Sequence, residues 1–253
     1  MMLKIRVAWR TFAFIVWTLF MWTIRVMAMV LVPISRRAEV AVRGFLLHVW
    51  ARVASAIIGM TVTVSGRPPK PPYMLVTNHL TNLDIIVLSL TAGCTFVSRA
   101  DVAGWPLLGL IAKTMNTVFI DRAKARDTKR VNELMQGLLD KGYGVHFFAE
   151  GGISQDATVH PFKPSLLETA ASRNLPVYYA AISYKTPDGC RPASEVVVWR
   201  DPLTLAQNMA DVFRLPRLSA TIRFGEQPIA GTDRKQLADE LYQAVRARFD
   251  TMV

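Results

Sequence analysis

With 253 residues, 51% of them apolar, the chain is long enough to bury a substantial core. Its 30 Lys and Arg stand against 19 Asp and Glu, a net charge of +11, and a basic chain this apolar suits an anionic lipid surface better than nucleic acid. No zinc-finger or RRM signature and no basic–aromatic interleaving is present; the two cysteines, Cys94 and Cys190, form neither a CxxC pair nor a disulfide framework, which points to a reducing compartment.

The chain opens on its strongest apolar signal. Thr11 to Ile24 is free of charge, Arg25 interrupts it, and Val26 to Ile34 continues it. A spanning helix needs about twenty apolar residues, a length reached here only across Arg25. Lys4, Arg6 and Arg10 on one side and Arg36 and Arg37 on the other lack the charge asymmetry of a span, and no small-residue cleavage site follows. Ala38 to Gly59 reads as a second helix, with Phe45, Leu46, Trp50, Val53 and Ile57 on an apolar stripe and Gly59 at its end. Residues 1–60 are therefore expected to form a membrane-anchoring helical hairpin in one leaflet, a single span plus an interfacial helix being the alternative. Trp9, Trp17 and Trp22 would lie at the lipid–water boundary.

From residue 61 the pattern changes to alternating strands and helices. Strands are expected at Thr61–Ser65, Tyr73–Val76, Thr95–Ser98, Thr117–Ile120, Tyr143–Phe148, Val177–Ile182, Glu195–Trp199 and Ala220–Phe224. Helices are expected at Leu83–Leu90, Leu107–Lys113, Arg126–Lys141, Lys163–Ser172 and Asp233–Phe249. Gly66-Arg-Pro-Pro-Lys-Pro-Pro72 can only be a loop. The fold class is thus α/β, a largely parallel central sheet flanked by helices and preceded by the N-terminal hairpin, with residues 61–253 as its domain.

In such sheets the site lies at the carboxyl ends of the strands. Three apolar strands here end in chemically capable residues: Asn78-His79, Asp121-Arg122 and Glu150-Gly151-Gly152. Asp84 follows His79 by five residues, a spacing that cannot share one helical face. With His79 in the turn and Asp84 in the first helical turn, the carboxylate can accept the Nδ1–H and leave Nε2 free to take a proton. Thr81-Asn-Leu-Asp84 also reads as a capping box, a purely local role for the same carboxylate. No metal-ligand constellation and no Gly-x-Ser-x-Gly elbow occurs.

At these residues the chain resembles the glycerolipid acyltransferase family. His79 with Asp84 is similar to its catalytic His-x4-Asp block. Ser98-Arg-Ala-Asp-Val-Ala-Gly-Trp-Pro-Leu-Leu-Gly109 with Phe119-Ile-Asp-Arg122 is similar to the second block, Phe148-Ala-Glu-Gly151 to the third, and Leu175-Pro-Val-Tyr-Tyr-Ala-Ala-Ile182 to the fourth. The resemblance implies acyl transfer from a thioester of acyl carrier protein or coenzyme A to a lyso-lipid hydroxyl, with no cofactor and no metal. His79 and Asp84 would be catalytic, and Arg99, Arg122, Glu150, Gly151 and Gly152 would bind substrate, the glycine N–H groups holding the oxyanion. It also implies a membrane location at the cytoplasmic face, the inner membrane in a bacterium. The expected acceptor is 1-acyl-glycerol-3-phosphate. One departure bears on it: Gly152-Ile153 stands where the third block has Thr-Arg, and isoleucine cannot replace a phosphate-binding guanidinium. Lyso-ornithine lipid is the alternative acceptor, and a non-catalytic lipid-binding protein of the same fold the alternative function. Arg99, Arg122 and Lys163 would supply the remaining cations.

Overall fold

The computed structural model describes residues 2–31 and 35–252; the break between the two apolar stretches, with Ile34, lies outside them. Helix α1 (Met2–Leu31) runs unbroken through Arg25. It does so because Arg25 faces protein: the side chain is only 2% exposed, pairs with Glu39 at 2.7 Å and donates through Nε to the Thr114 carbonyl at 3.1 Å. Helix α2 (Arg36–Ile58) starts at Ser35, whose hydroxyl accepts from the Ala38 N–H, and stops at Gly59, whose φ of 78° only glycine adopts readily. The hairpin is locked by reciprocal indole bonds: Trp17 Nε1 donates to the Trp50 carbonyl, and Trp50 Nε1 to Thr18 Oγ1.

After α2 come β1 (Met60–Ser65), β2 (Tyr73–Thr77), α3 (Leu83–Thr91), β3 (Thr95–Arg99), a 3-10 turn at Ala100–Gly104, α4 (Leu108–Thr114) and β4 (Val118–Ile120). Then follow α5 (Ala125–Asp140), β5 (Gly144–Phe148), a 3-10 turn at Pro164–Leu167, α6 (Glu168–Ser172), β6 (Val177–Lys185), α7 (Ala193–Val196), α8 (Leu205–Arg214), β7 (Leu218–Phe224) and α9 (Arg234–Arg246). The seven strands form one sheet in the order β1-β7-β6-β2-β5-β3-β4. β6, β2, β5, β3 and β4 are mutually parallel; β7 pairs antiparallel with β6 and parallel with β1. The sheet is α/β and mostly parallel, as the alternation of elements implies.

β2 is buried along its whole length, as a central parallel strand must be, and its side chains alternate between two cores. Tyr73 and Leu75 enter a cluster with α2, α3, α7 and α8; Met74 and Val76 enter the other, with α5, α6 and α9. Helix α2 contributes Ala51, Ala54 and Ile58 to the first of these, so the second apolar helix packs directly on the sheet layer.

Two expectations differ. Glu195–Trp199 is not a strand: Ala193–Val196 is a helical turn, Val197 and Val198 follow it irregularly, and all three valines are buried. A β-branched run favours strand, but β6 already has β2 and β7 on its two sides, so no pairing edge remains there. Helix α8 was not expected at all. Its signal is present, since Thr204 and Gln207 form a capping box at its start. The basic residues at the chain start also turn inward: Arg6 and Arg10 donate to the carbonyls of Phe213, Arg214, Leu215 and Pro216, capping the end of α8.

Candidate active site

The site is assembled where β2 and β5 leave the sheet together. Thr77 pairs with Phe148, so two residues further on His79 and Glu150 meet. The His79 N–H donates to Glu150 Oε1 at 2.9 Å, and the His160 N–H donates to Oε2 at 3.2 Å. On the other side, β2 ends while β6 continues, which would leave the Ile182 backbone groups unpaired. Asn78 takes the place of the missing strand residue: its Nδ2 donates to the Ile182 carbonyl at 2.9 Å and its Oδ1 accepts from the Ile182 N–H at 2.8 Å. The remaining turn carbonyls are met as well, His79 by the Ser154 N–H and Leu80 by the Trp199 N–H. A turn held on three sides fixes the histidine it carries.

His79 Nδ1 lies 2.8 Å from Asp84 Oδ2, and the same oxygen accepts from the Leu80 and Thr81 N–H groups at 2.8 and 3.1 Å. Asp84 Oδ2 thus holds both the histidine and the turn, but the expected capping box does not form: the helix is preceded by Asn82, which makes no side-chain cap bond, and the Thr81 hydroxyl faces Asn208 instead. Oδ1 accepts from the Tyr184 hydroxyl at 2.6 Å. Asp84 is fully buried and the His79 side chain is 15% exposed, so the ring opens outward with Nε2 available while its partner is shielded. The His79 ring lies on Phe148, centroids 3.5 Å apart and planes within 9°. Behind Phe148 sits His146, buried, edge-on to it at 4.5 Å. Burial, with the neighbouring His79 as a lesser cause, holds His146 well below the usual imidazole range. Thr77 donates its hydroxyl to the Asn78 carbonyl and so accepts from His146 Nε2–H at 3.0 Å, which leaves His146 a neutral wall.

The other expected residues fall into two groups. Glu150 is buried, and burial pushes its carboxyl up to about 8 against the two N–H groups it accepts from; it orders the turn from within. Gly151, at φ +79°, donates its N–H to the Phe148 carbonyl at 3.2 Å, and an added Cβ would meet the Lys163 stem at 2.8 Å. Gly152 borders open space, and its N–H makes no bond among the described residues. Arg99 and Arg122 stand at the ends of β3 and β4, two and three strands from β2, or about 10 and 14 Å of sheet width. Arg99 is exposed and forms a two-pronged pair with Asp101. Arg122 makes no ion pair or hydrogen bond among the described residues; the protein around it and the charge of Arg99 lower its pKa. The dyad and Glu150 thus form one unit, and the arginines a second group along the same edge.

The residues from 61 to 183 match the family model described as Acyltransferase. Over 198 residues the chain is 32% identical to the lyso-ornithine lipid O-acyltransferase of Pseudomonas aeruginosa, covering 78% of this chain and 75% of that one. The chain belongs to the acyltransferase family. The 1-acyl-sn-glycerol-3-phosphate acyltransferase of Neisseria gonorrhoeae is also 32% identical, over 56% of this chain and 55% of that one. Among solved structures, the 1-acyl-sn-glycerophosphate acyltransferase of Thermotoga maritima aligns with a TM-score of 0.69 at 15% identity, covering 97% of this chain and 96% of that one, a likeness of fold. This acyltransferase shares its mostly parallel sheet and preceding apolar helices with that architecture.

Two residues of the site were not singled out from sequence as working parts. Phe148 is a letter of the third block, and Tyr184 closes the stretch over which the resemblance runs. Tyr184 is 100 positions from Asp84, and no spacing rule links them.

Proposed function

We propose that this acyltransferase moves a fatty acyl group from an acyl thioester to the free hydroxyl of a lyso-lipid, with His79 as general base. The observation that carries the reading is the 2.8 Å contact between His79 Nδ1 and the buried Asp84. Nε2 takes the acceptor's hydroxyl proton as the oxygen attacks the thioester carbonyl, and Asp84 stabilises the imidazolium. When the tetrahedral intermediate collapses, the C–S bond breaks and the leaving thiolate recovers that proton. Gly152 N–H is the free donor beside this edge for the oxyanion, while Glu150 and Gly151 act by shaping the turn. The donor is a cytosolic thioester of acyl carrier protein or coenzyme A, which puts the enzyme at the cytoplasmic face.

The acceptor reading that fits best is a lyso-ornithine lipid. Four relatives with that activity in their names match over 73% to 78% of this chain, whereas four named for 1-acyl-sn-glycerol-3-phosphate match over 48% to 56%. Ile153 stands where a phosphate-binding arginine would. Ornithine carries a carboxylate and an ammonium, and the edge offers the guanidinium of Arg122 beside the Arg99–Asp101 pair. The second reading, 1-acyl-glycerol-3-phosphate, is favoured by the cations Arg99, Arg122 and Lys163.

Residues 1–60 serve as the anchor and residues 61–253 as the catalytic domain, with α2 joining them. Two helices are apolar and long enough to cross a membrane. On α1, however, Arg25 is turned into protein, while Ile5, Trp9, Phe12, Val16, Phe20 and Met27 are exposed. An apolar outer face on a helix whose inner face packs on protein suits a hairpin lying in one leaflet. Leu107, Leu108 and Leu110 around the start of α4 are exposed too.

The test is transfer from acyl carrier protein and coenzyme A thioesters to lyso-ornithine lipid and lysophosphatidic acid in mixed micelles, wild type beside His79→Ala. Product with lyso-ornithine lipid, lost in His79→Ala, supports the whole reading; product with lysophosphatidic acid alone moves the acceptor to the second. Undiminished activity in His79→Ala removes His79 as the base.

A further inference from the structure

A contact to which no role has yet been given lies beneath the site, on the far side of Asp84. Its Oδ2 is saturated by His79 Nδ1 and two backbone N–H groups. Among the described residues Oδ1 has a single partner, the Tyr184 hydroxyl at 2.6 Å, a length typical of an O–H bonded to an ionised carboxylate. Both side chains are buried, Asp84 completely and Tyr184 to within 3%.

We propose that Tyr184 is a positioning residue for acyl transfer: by donating to Asp84 Oδ1 it fixes the carboxylate's rotation, shares its charge, and so sets how tightly Asp84 holds the His79 ring. The inference rests on the reading of His79 as the base. Three features support it beyond the distance. Burial and the adjacent carboxylate both raise the Tyr184 phenol well above its ordinary value, so the hydroxyl stays protonated and is a donor at every working pH. Its strand is held to the catalytic turn by the two bonds between Asn78 and Ile182, and the Tyr184 N–H is itself engaged by Met252 Sδ. The donor therefore cannot drift from the carboxylate without moving the turn that carries His79.

The other titratable groups facing the pair are few. Glu150 reaches the His79 main chain from the end of β5, and His146 lies behind Phe148. In the loop before the Pro164 turn, Asp156 and His160 are engaged with each other. Among the described residues none of these four bonds to the Asp84 side chain, whose titratable partners are His79 and Tyr184. Removing the Tyr184 proton donor concentrates the carboxylate's charge on Oδ2, which strengthens its hold on the imidazolium formed during transfer.

The experiment is the pH dependence of kcat/KM for acyl transfer by the full chain in mixed micelles, for wild type, Tyr184→Phe and His79→Ala. Tyr184→Phe should move the acid limb up by about one pH unit, lower kcat by about tenfold, and leave KM for the acceptor unchanged. The same chain carrying 3-fluorotyrosine at position 184, a more acidic and stronger donor, should move the limb down; it keeps the test decisive should Tyr184→Phe not fold. A purely structural tyrosine would change stability and yield with the limb fixed. If the fluorinated chain keeps the wild-type limb while His79→Ala is inactive, the proposal for Tyr184 is overturned and the base stands. If His79→Ala is fully active, both fall.

Discussion

Phe148 lies flat against His79, ring on ring at 3.5 Å and within 9° of parallel, and it is the last residue of β5, paired in register with Thr77. The sheet thus sets not only where the histidine emerges but the plane in which its ring lies. Asp84 fixes one edge of the ring and Phe148 one face, leaving Nε2 and the opposite face toward solvent.

Phe148→Ala removes that face without touching the Nδ1–Asp84 bond. On the proposal that His79 is the base, the ring then samples orientations that do not point Nε2 at the acceptor oxygen. Because misplacing a base by an ångström can cost a hundredfold, kcat should fall by roughly tenfold to a hundredfold while KM for the acyl donor stays near wild type. Steady-state kinetics on the purified variant checks this; an unchanged kcat would mean that Asp84 alone orients the ring.

Glu150 makes stability depend on pH in a direction opposite to that of a salt-bridged carboxylate. Burial raises its folded-state value from 4.5 to about 8, so the folded protein holds a proton that the unfolded chain releases. Its contribution is fully present below about pH 4.5, lost as the pH rises to about 8, and flat above. Denaturant unfolding of wild type and Glu150→Gln at intervals from pH 4 to 9 should show a difference that changes across that window, by an amount on the order of a few kcal/mol, and then levels off.

Asn78 substitutes for a strand residue, so its loss strands two buried backbone groups of β6. Each orphaned group costs about 1–3 kcal/mol, and Asn78→Ala should destabilise the fold by about 2–5 kcal/mol. Asn78→Asp should be no better, because it sets a carboxylate oxygen against the Ile182 carbonyl. Chemical denaturation measures both, and a loss below about 0.5 kcal/mol would refute the pairing role.

Arg25 and Glu39 join α1 to α2, and Glu39 in turn accepts from the Tyr143 hydroxyl at the mouth of β5. Removing one member of a buried pair leaves the other uncompensated, so Arg25→Ala should cost about 3 kcal/mol or more. The double variant Arg25→Met, Glu39→Gln should regain most of it. Thermal unfolding in detergent distinguishes this from an arginine that merely reaches lipid headgroups, whose replacement would leave the melting temperature unchanged and weaken binding to anionic vesicles instead.

The sequence by itself determined the α/β class, the apolar strands that end in chemically capable residues, and the spacing that lets His79 and Asp84 meet. These rest on short-range rules: hydrophobic period, breakers, and a five-residue spacing that one turn and one helix start can close. It also carried the cap of α8, a signal readable at Thr204 and Gln207. What only the tertiary structure decided is which side chains meet across long separations. Arg25 looked like an interruption of an apolar helix and is a buried anchor to Glu39. Trp17 has the pattern of a lipid–water boundary residue, and its indole N–H donates to the Trp50 carbonyl. The Val196–Val198 run has the propensity of a strand, but β6, the strand it follows, already has β2 and β7 on its two sides and offers it no free side. Glu150 and Tyr184 take their roles from strands laid side by side, Glu150 beside His79 through the β2–β5 register and Tyr184 beneath Asp84 through β6. Propensity and spacing act over a few residues, whereas strand order brings together groups 71 and 100 positions apart, and no local pattern encodes that order.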